Sequence, residues 1–487
     1  MHPTRVLDEP SPSSSASVRP GGAGSFDLVV IGSGGAAFGA ALRAAELGAT
    51  VAMVERGTLG GTCVNIGCVP SKTLIRAAES LHRAQRSPFS GLEVKGRVAD
   101  FAQLVSQKDS LVQGLRQTKY ADVLGGIPNV TFFEGHAAFR GKDSVAVGDA
   151  TLTARRFVIA TGARPKPPEI PGLREAGFLT STTVMELKEL PRSLLVLGGR
   201  YIALELAQAF ARLGSKVTVI QRSSHVLPTE DDDLTEDLAG YLREEGLDVL
   251  TGATTSRVSR DGRGYRVEVE IAGERRVLEG EQLLVATGRT PNSDDLGLEK
   301  VGVARRNDGF VAVDETLQTS VPGVYASGDV IGEPMFVYTA AYEGSLAAEN
   351  ALNGAARTRD YSALPWVVFT DPQVAGVGLS EKRAREAGVE VDVAKLPMRH
   401  VPRALAARDT RGFVKLLKRR GTEELVGAVL LAPEAGDIVM EVALAIRYRI
   451  PASDLASAFH PYLTNAEAIK LAAQTFQKDV SKLSCCA

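Results

Sequence analysis

Four cysteines occur in a chain of 487 residues, and they fall into two tight pairs, Cys63 with Cys68 and Cys485 with Cys486. The thiolate is the form of cysteine that attacks disulfides and binds metals, so paired thiols point to exchange chemistry or to a soft-metal ligand set. Cys485 and Cys486 are neighbours, one residue from the carboxyl terminus. A disulfide between neighbours closes a strained ring outside ordinary bridge geometry, and thiols left idle on a chain end oxidise. A secreted disulfide scaffold scatters its cysteines along the chain. The spacing CxxxxC together with CC is also not that of a structural zinc site. Redox or thiolate-ligand chemistry in a reducing cytoplasm is the reading that remains.

The other pair lies in "GGTCVNIGCVPSK", and the following "SKTLIRAAESLHRA" has helical periodicity. A cysteine at a helix N-terminus has its thiolate stabilised by the helix dipole. Just upstream, "FDLVVIGSGGAAFGAALRAAELGATVAMVER" reads as strand, glycine turn, amphipathic helix and second strand. Gly32, Gly34 and Ala37 fill the G-x-G-x-x-G/A pattern that brings backbone up to a pyrophosphate, and Glu55 ends the second strand where a ribose hydroxyl is bound. The unit recurs in "SLLVLGGRYIALELAQAFARLGSKVTVIQR", with Gly198 and Ala203 in the first and last positions and Arg200 where the middle glycine usually stands. The second strand of that unit runs into Gln221 and Arg222 without an acid, so Arg222 is expected to meet a 2′-phosphate, favouring NADPH over NADH.

Two nucleotide units imply two nucleotides. The segments "FVIATGARP" and "LLVATGRTPN" read as strands returning to each sheet, and "VPGVYASGDV" supplies Asp329 at a further strand end. From about Trp366 the pattern changes to mixed strands and helices without a glycine fingerprint. The length suits about three domains. A net charge of -2 gives no support for nucleic acid or an anionic membrane as partner. No apolar run approaches the roughly 20 residues that span a bilayer. Residues 1–25, rich in Ser, Pro and Gly with no apolar core, are expected to be a disordered lead-in rather than a signal peptide.

"GTCVNIGCVPSK" resembles the GTCxNxGCxPSK hallmark of the flavoprotein pyridine-nucleotide disulfide reductases, and the resemblance runs through the rest of the chain in family order. It implies an α/β fold with two Rossmann-like FAD- and NAD(P)-binding domains and a C-terminal α+β dimerisation domain. The implied boundaries are 26–165 with 290–362 for the FAD domain, 166–289 for the NADPH domain and 363–487 for the interface domain. It further implies that Cys68 lies against the flavin and Cys63 is the outer, exchanging thiol. Lys72 would sit near the flavin, paired with Glu205 near the nicotinamide. Gly57, Thr62, Ala138, Thr161, Gly162, Asp329 and Val337 match FAD-contacting positions.

The C-terminal "HPYLTNAEAIKLAAQTFQKDVSKLSCCA" resembles the mercuric reductase branch of that family, as do Tyr120 in "LRQTKYADVLGG" and the stretch "VPRALAARDTRGF". This implies reduction of thiolate-bound Hg(II) to Hg(0), a soft ion suited to thiolate ligands. Cys485 and Cys486 would collect Hg(II) and pass it to Cys63 and Cys68, with Tyr120 and Tyr462 as weak oxygen contacts. A cytoplasmic homodimer is implied. One departure is His460, which disulfide reductases require and the mercuric branch generally lacks. The glutamate that orients this histidine in disulfide reductases is absent at its family spacing, where Asn465 stands, with Glu467 two residues further on. A large thioredoxin-type disulfide reductase is therefore the alternative, favoured by His460 and opposed by Ser71, Tyr120, Tyr462 and Asn465.

Overall fold

In a computed structural model of the chain, residues 24–354 and 356–479 are described. Cys485, Cys486 and residues 1–23 of the expected tail fall outside them. Gly24 and Ser25, expected in that tail, instead belong to a strand, Gly24–Phe26, paired in parallel with Ala150–Ala154. Ladder partners for their backbone groups move the start of regular structure to Gly24 at the latest.

The chain divides into two compact units. The first comprises the chain up to Val69, Asp109–Arg164 and Arg289–Arg359. Its centre is a five-stranded parallel sheet in the order Val324–Ala326, Phe157–Ile159, Leu28–Ile31, Val51–Glu55, Val130–Glu134. Strands such as LVVI and VAMV are apolar throughout, as a sheet covered on both faces requires. The helix Gly35–Glu46 buries a row of alanines against the sheet. That small-residue face also admits the helix Val337–Asn353: a Cβ added at Gly344 would lie 1.9 Å from the Ala36 carbonyl oxygen. The antiparallel strands Ala137–Gly141, Ser144–Val147 and Ala150–Ala154, with Gly24–Phe26, form a second sheet.

The second unit comprises Pro70–Lys108, Pro165–Gly288 and the chain from Asp360 onward. It holds a parallel sheet, Asp248–Leu250, Lys216–Ile220, Ser193–Leu197, Gln282–Val285, with the helix Tyr201–Leu213 following the second glycine turn. It also holds a five-stranded antiparallel sheet, Pro365–Val368, Gln373–Gly378, Leu425–Ala432, Phe413–Arg419, Val391–Pro397. The helices Ala435–Tyr448 and Glu467–Gln474 pack on that sheet to close its core.

Two ionic clusters tie the nucleotide-binding part of this unit to its antiparallel sheet. Lys415, on the strand Phe413–Arg419 and 1% exposed, is ringed by Asp231 at 3.1 Å, Asp233 at 2.9 Å and Glu381 at 2.7 Å. An ammonium ion taken out of water survives only with such partners. The Arg212 guanidinium, 5% exposed, contacts Glu245 at 2.5 Å and Asp371 at 3.0 Å. Burial pushes the Asp371 carboxyl up, but Arg411 and Arg212 outweigh it and hold the group below its ordinary value.

Replacing Lys415 by Met is expected to destabilise the second unit by about 3–5 kcal/mol, since Asp231 and Glu381 lose their cation while Asp233 keeps only Lys395, 2.6 Å away. A thermal-unfolding midpoint within a degree of the parent's would refute this. The lowered Asp371 value also sets a pH dependence. A carboxyl with a depressed folded pKa contributes stability above its unfolded value of about 3.9, lost as pH falls through the folded value. The melting temperature is expected to be steeper in acid below about pH 4 for the parent than for Asp371→Asn.

Candidate active site

The first nucleotide site is built from backbone contacts that only glycine permits. Gly32 has φ +122°, and a Cβ there would stand 2.3 Å from the Ala160 carbonyl oxygen. The strand therefore turns directly into the helix Gly35–Glu46, leaving the first-turn amides of that helix for an anion. Gly61 crosses the same corner: with φ +66°, its Cβ would meet the Gly34 Cα at 2.5 Å. Gly35 faces the start of the helix Val337–Asn353, where the Val337 side chain would lie 3.1 Å from an added Cβ. Two further elements thus converge on one glycine corner, the helices beginning at Gly61 and at Val337.

Glu55 ends the neighbouring strand, held by the Ser33 hydroxyl at 2.7 Å and the Gly57 N–H at 2.7 Å. These two bonds orient the carboxylate and leave further lone pairs for ribose hydroxyls. Thr161 and Gly162 lie in the loop after Phe157–Ile159; the Thr161 hydroxyl donates to the Asn292 carbonyl at 2.7 Å. Asp329 stands in the short helix Gly328–Ile331, its carboxyl pushed up by burial and drawn down by Arg289, 3.7 Å away. Ala37 is fully buried in the first helix, Thr62 lies in the helix Gly61–Ile66, and Ala138 in the strand Ala137–Gly141. Among the described residues, the buried hydroxyls of Ser327 and Thr339 have no hydrogen-bond partner. The Gly32–Gly34 cradle, the oriented Glu55 and these hydroxyls suit a dinucleotide carrying a polar ring system.

Cys63 lies in the helix Gly61–Ile66, and Cys68 opens the helix Cys68–Gln85; both are half-buried. Gly67 joins the two helices at φ -128°, ψ -108°, where an added Cβ would press 2.9 Å from the Thr62 carbonyl oxygen. Tyr120 sits in a single π-helical turn, Gln117–Ala121, an irregularity common at functional sites. Its ring meets Phe38 edge-on, centroids 4.8 Å apart, and abuts Gly60. Burial first, then the charges of Cys63 and Cys68, push its phenol up, so Tyr120 stays protonated beside the pair. Tyr338 behaves alike, raised by burial and then by Cys68. Sequence reasoning missed Tyr338; its only signal was the neighbouring Val337.

In the second unit, Gly198 has φ +120°, with a Cβ position 2.4 Å from the Ala286 carbonyl oxygen, and Ala203 is fully buried. Arg200 occupies the helix N-cap with extended backbone, φ -101°, ψ -172°, which any residue adopts, so the missing middle glycine leaves the turn intact. Arg222 is exposed just beyond the strand Lys216–Ile220. The Lys72 ammonium meets Glu205 on the helix Tyr201–Leu213 at 2.6 Å. His460 hydrogen-bonds through Nε2 to Glu441 at 2.8 Å, a residue of the helix Ala435–Tyr448 and not one downstream in sequence. Tyr462 is 55% exposed, and Met440, Leu444 and Tyr448 form an exposed apolar row at helical spacing.

The family model described as pyridine nucleotide-disulphide oxidoreductase matches residues 26–344, and that of the corresponding dimerisation domain matches 364–473. The chain is 48% identical over 464 residues to the mercuric reductase of Staphylococcus aureus, covering 95% of this chain and 85% of that protein. It is 48% identical over 468 residues to that of Streptomyces lividans, covering 95% and 98%. Among solved structures, the HOCl-induced flavoprotein disulfide reductase RclA from Escherichia coli is 31% identical, with a TM-score of 0.81 over 93% of this chain and 99% of that one. LpdA from Mycobacterium tuberculosis is 28% identical with a TM-score of 0.82, covering 93% and 100%.

Gly61→Val, which forces a side chain into the Gly34 backbone, is expected to yield protein with less than about half the parent's flavin, read as the ratio of absorbance at about 450 nm to that at about 280 nm. Full flavin content would show that the corner is not needed for binding.

Proposed function

The chain belongs to the pyridine nucleotide-disulphide oxidoreductase family, and on that premise we propose that it is a mercury(II) reductase, oxidising NADPH and releasing Hg(0). One observation carries the reading furthest: a cysteine pair flanked by a protonated tyrosine, in a chain 48% identical over its length to mercuric reductases. FAD is the resident cofactor, and when bound it supplies two-electron transfer between NADPH and the thiol side of the site.

The residues of the first unit suit that cofactor at each part: Gly32 and Gly34 for the pyrophosphate, Glu55 for the ribose, and Asp329 and the first turn at Val337 towards the flavin end. Arg222 is assigned to the 2′-phosphate of NADPH. Lys72 and Glu205 form the charged pair assigned to the nicotinamide side. The domain boundaries given above are retained as part of this proposal.

Hg(II) arrives as substrate already held by two small thiols. Cys485 and Cys486 exchange with these carriers; two S–Hg bonds form as two break, and the protons of the incoming thiols leave with the carrier thiols. The same exchange passes Hg(II) to Cys63 and Cys68, because a soft ion moves between sulfurs without leaving thiolate ligation. Tyr120, kept neutral, offers an oxygen contact too weak to trap the ion. Overall, NADPH, one proton and the Hg(II) dithiolate give NADP+, Hg(0) and two carrier thiols, and the neutral atom has little hold on thiolate.

A homodimer is supported by the dimerisation-domain match and by the exposed apolar row Met440, Leu444 and Tyr448, which pairing across a two-fold axis would cover. No helix among the described residues is long and apolar enough to cross a membrane. The cytoplasm is the proposed compartment, since thiol pairs stay reduced there.

A second reading, reduction of a protein or peptide disulfide, is favoured by the His460–Glu441 hydrogen bond, which holds an imidazole as an acid–base group is held. The two readings separate on one assay: Hg(II)-dependent NADPH oxidation with excess thiol, with volatile mercury trapped, set beside oxidised thioredoxin and glutathione disulfide. Mercury turnover with Hg(0) in the trap is expected, falling about tenfold in Tyr120→Phe, equivalent to about 1.4 kcal/mol, and unchanged in His460→Ala. Disulfide turnover with an empty trap would overturn the proposal.

A further inference from the structure

We propose that Phe369 is a positioning residue that grips both members of the Lys72–Glu205 pair and so sets the approach of NADPH electrons to the flavin. The inference rests on the assignment of that pair to the nicotinamide side. Glu205 is almost wholly buried, and its two oxygens are divided: Oε2 takes the Lys72 ammonium at 2.6 Å, and Oε1 takes the Phe369 N–H at 3.0 Å. The Phe369 ring in turn lies under the same ammonium, 4.6 Å from Nζ to the ring centroid. Lys72, Glu205 and Phe369 thus close a triangle of a charge pair, a backbone hydrogen bond and a cation–π contact.

The helix that carries Glu205 also holds Phe369 in place. The Asp371 N–H donates to Gln208 Oε1 at 2.8 Å, and Gln208 Nε2 donates to the Asp371 carbonyl at 2.9 Å. Arg212 reaches the Asp371 carboxylate at 3.0 Å. Residues 205, 208 and 212 lie on one face of that helix, and all three hold the segment that begins at Phe369. The adjacent Thr370 hydroxyl, also buried, donates to the Pro372 carbonyl at 2.8 Å.

The pair borders a shallow cleft open to solvent, lined also by Arg76, Glu79, Gln208 and Glu434, and the Lys72 side chain is 31% exposed there. The other carboxylates lining it are already engaged: Glu79 by Arg76 at 2.7 Å and by Arg83, Glu434 by Arg76 at 3.4 Å, and Asp371 by Arg212 at 3.0 Å and Arg411 at 2.8 Å. The competitor for Lys72 is therefore water, and the ring of Phe369 is what offsets it. A leucine of similar bulk would keep the N–H bond and lose the quadrupole that attracts the cation.

Full-length Phe369→Leu and Phe369→Tyr test this with two readouts. The first is reductive methylation of Lys72 by formaldehyde, followed by mass spectrometry, which reports the freedom of the amine without any turnover. The second is the rate of flavin bleaching at saturating NADPH, set against the apparent Kd for NADPH. Phe369→Leu is expected to methylate several-fold faster and bleach about tenfold slower at nearly unchanged Kd, with Phe369→Tyr like the parent on both. Parental behaviour of the leucine variant on either readout, or failure of tyrosine to rescue it, would overturn the proposal. If the leucine variant does not fold, Phe369→Met takes its place against the same criteria. Bleaching involves no mercury, so a chain that failed to reduce Hg(II) would leave this test standing. Parental bleaching in Lys72→Met would instead sink the assignment of the pair.

Discussion

Backbone-to-backbone contact at the Gly34–Gly61 corner is the constraint on which the first unit depends. A strand, a nucleotide-facing helix and the segment bearing both inner cysteines meet there at distances that leave no room for a Cβ. Gly32 makes the turn, Gly61 brings in the cysteine segment, and Gly35 lets the helix from Val337 close the third side. The cradle for a dinucleotide and the mount for Cys63 and Cys68 are therefore one piece of backbone. Changing either disturbs the other, which is what a site that passes electrons between a bound cofactor and a thiol pair requires.

Around that corner the electrostatics favour neutral phenol oxygen beside the two cysteines. Tyr120 is held protonated by burial and by the two cysteines, and Tyr338 by burial and Cys68. Neutral phenols are weak partners for a soft ion, which on the proposed reading leaves sulfur to bind it. In the second unit the charges are instead paired and locked, from Lys72–Glu205 to the clusters at Arg212 and Lys415. These buried ions join the nucleotide-binding sheet to the antiparallel sheet, so the pair at Lys72 is held from both.

Local chemistry was legible in the sequence because it is written in short spacings. Gly32, Gly34 and Gly198 announce their turns, and Glu55 its strand end. The doubt raised by Arg200 resolves locally as well, since its backbone is extended and needs no glycine. What stayed hidden depends on contacts between distant segments. Gly61 reads as part of a cysteine motif until its crossing with Gly34 is seen. At the family spacing from His460 stands Asn465, not a glutamate, and the carboxylate that His460 meets comes from Glu441 on the helix Ala435–Tyr448. Phe369 and Lys415 carry no signal in the sequence and gain their meaning only from tertiary contacts.

The central claim is that a nucleotide-built corner holds Cys68 against the flavin, ready to share Hg(II) with Cys63. Anaerobic titration with NADPH, followed by Hg(II), tests it most directly through the visible spectrum. The account predicts a long-wavelength thiolate–flavin charge-transfer band after two electrons, absent in Cys68→Ser and present in Cys63→Ser, and abolished by one equivalent of Hg(II) per site. Full flavin bleaching with no such band, or a band indifferent to Hg(II), would contradict it.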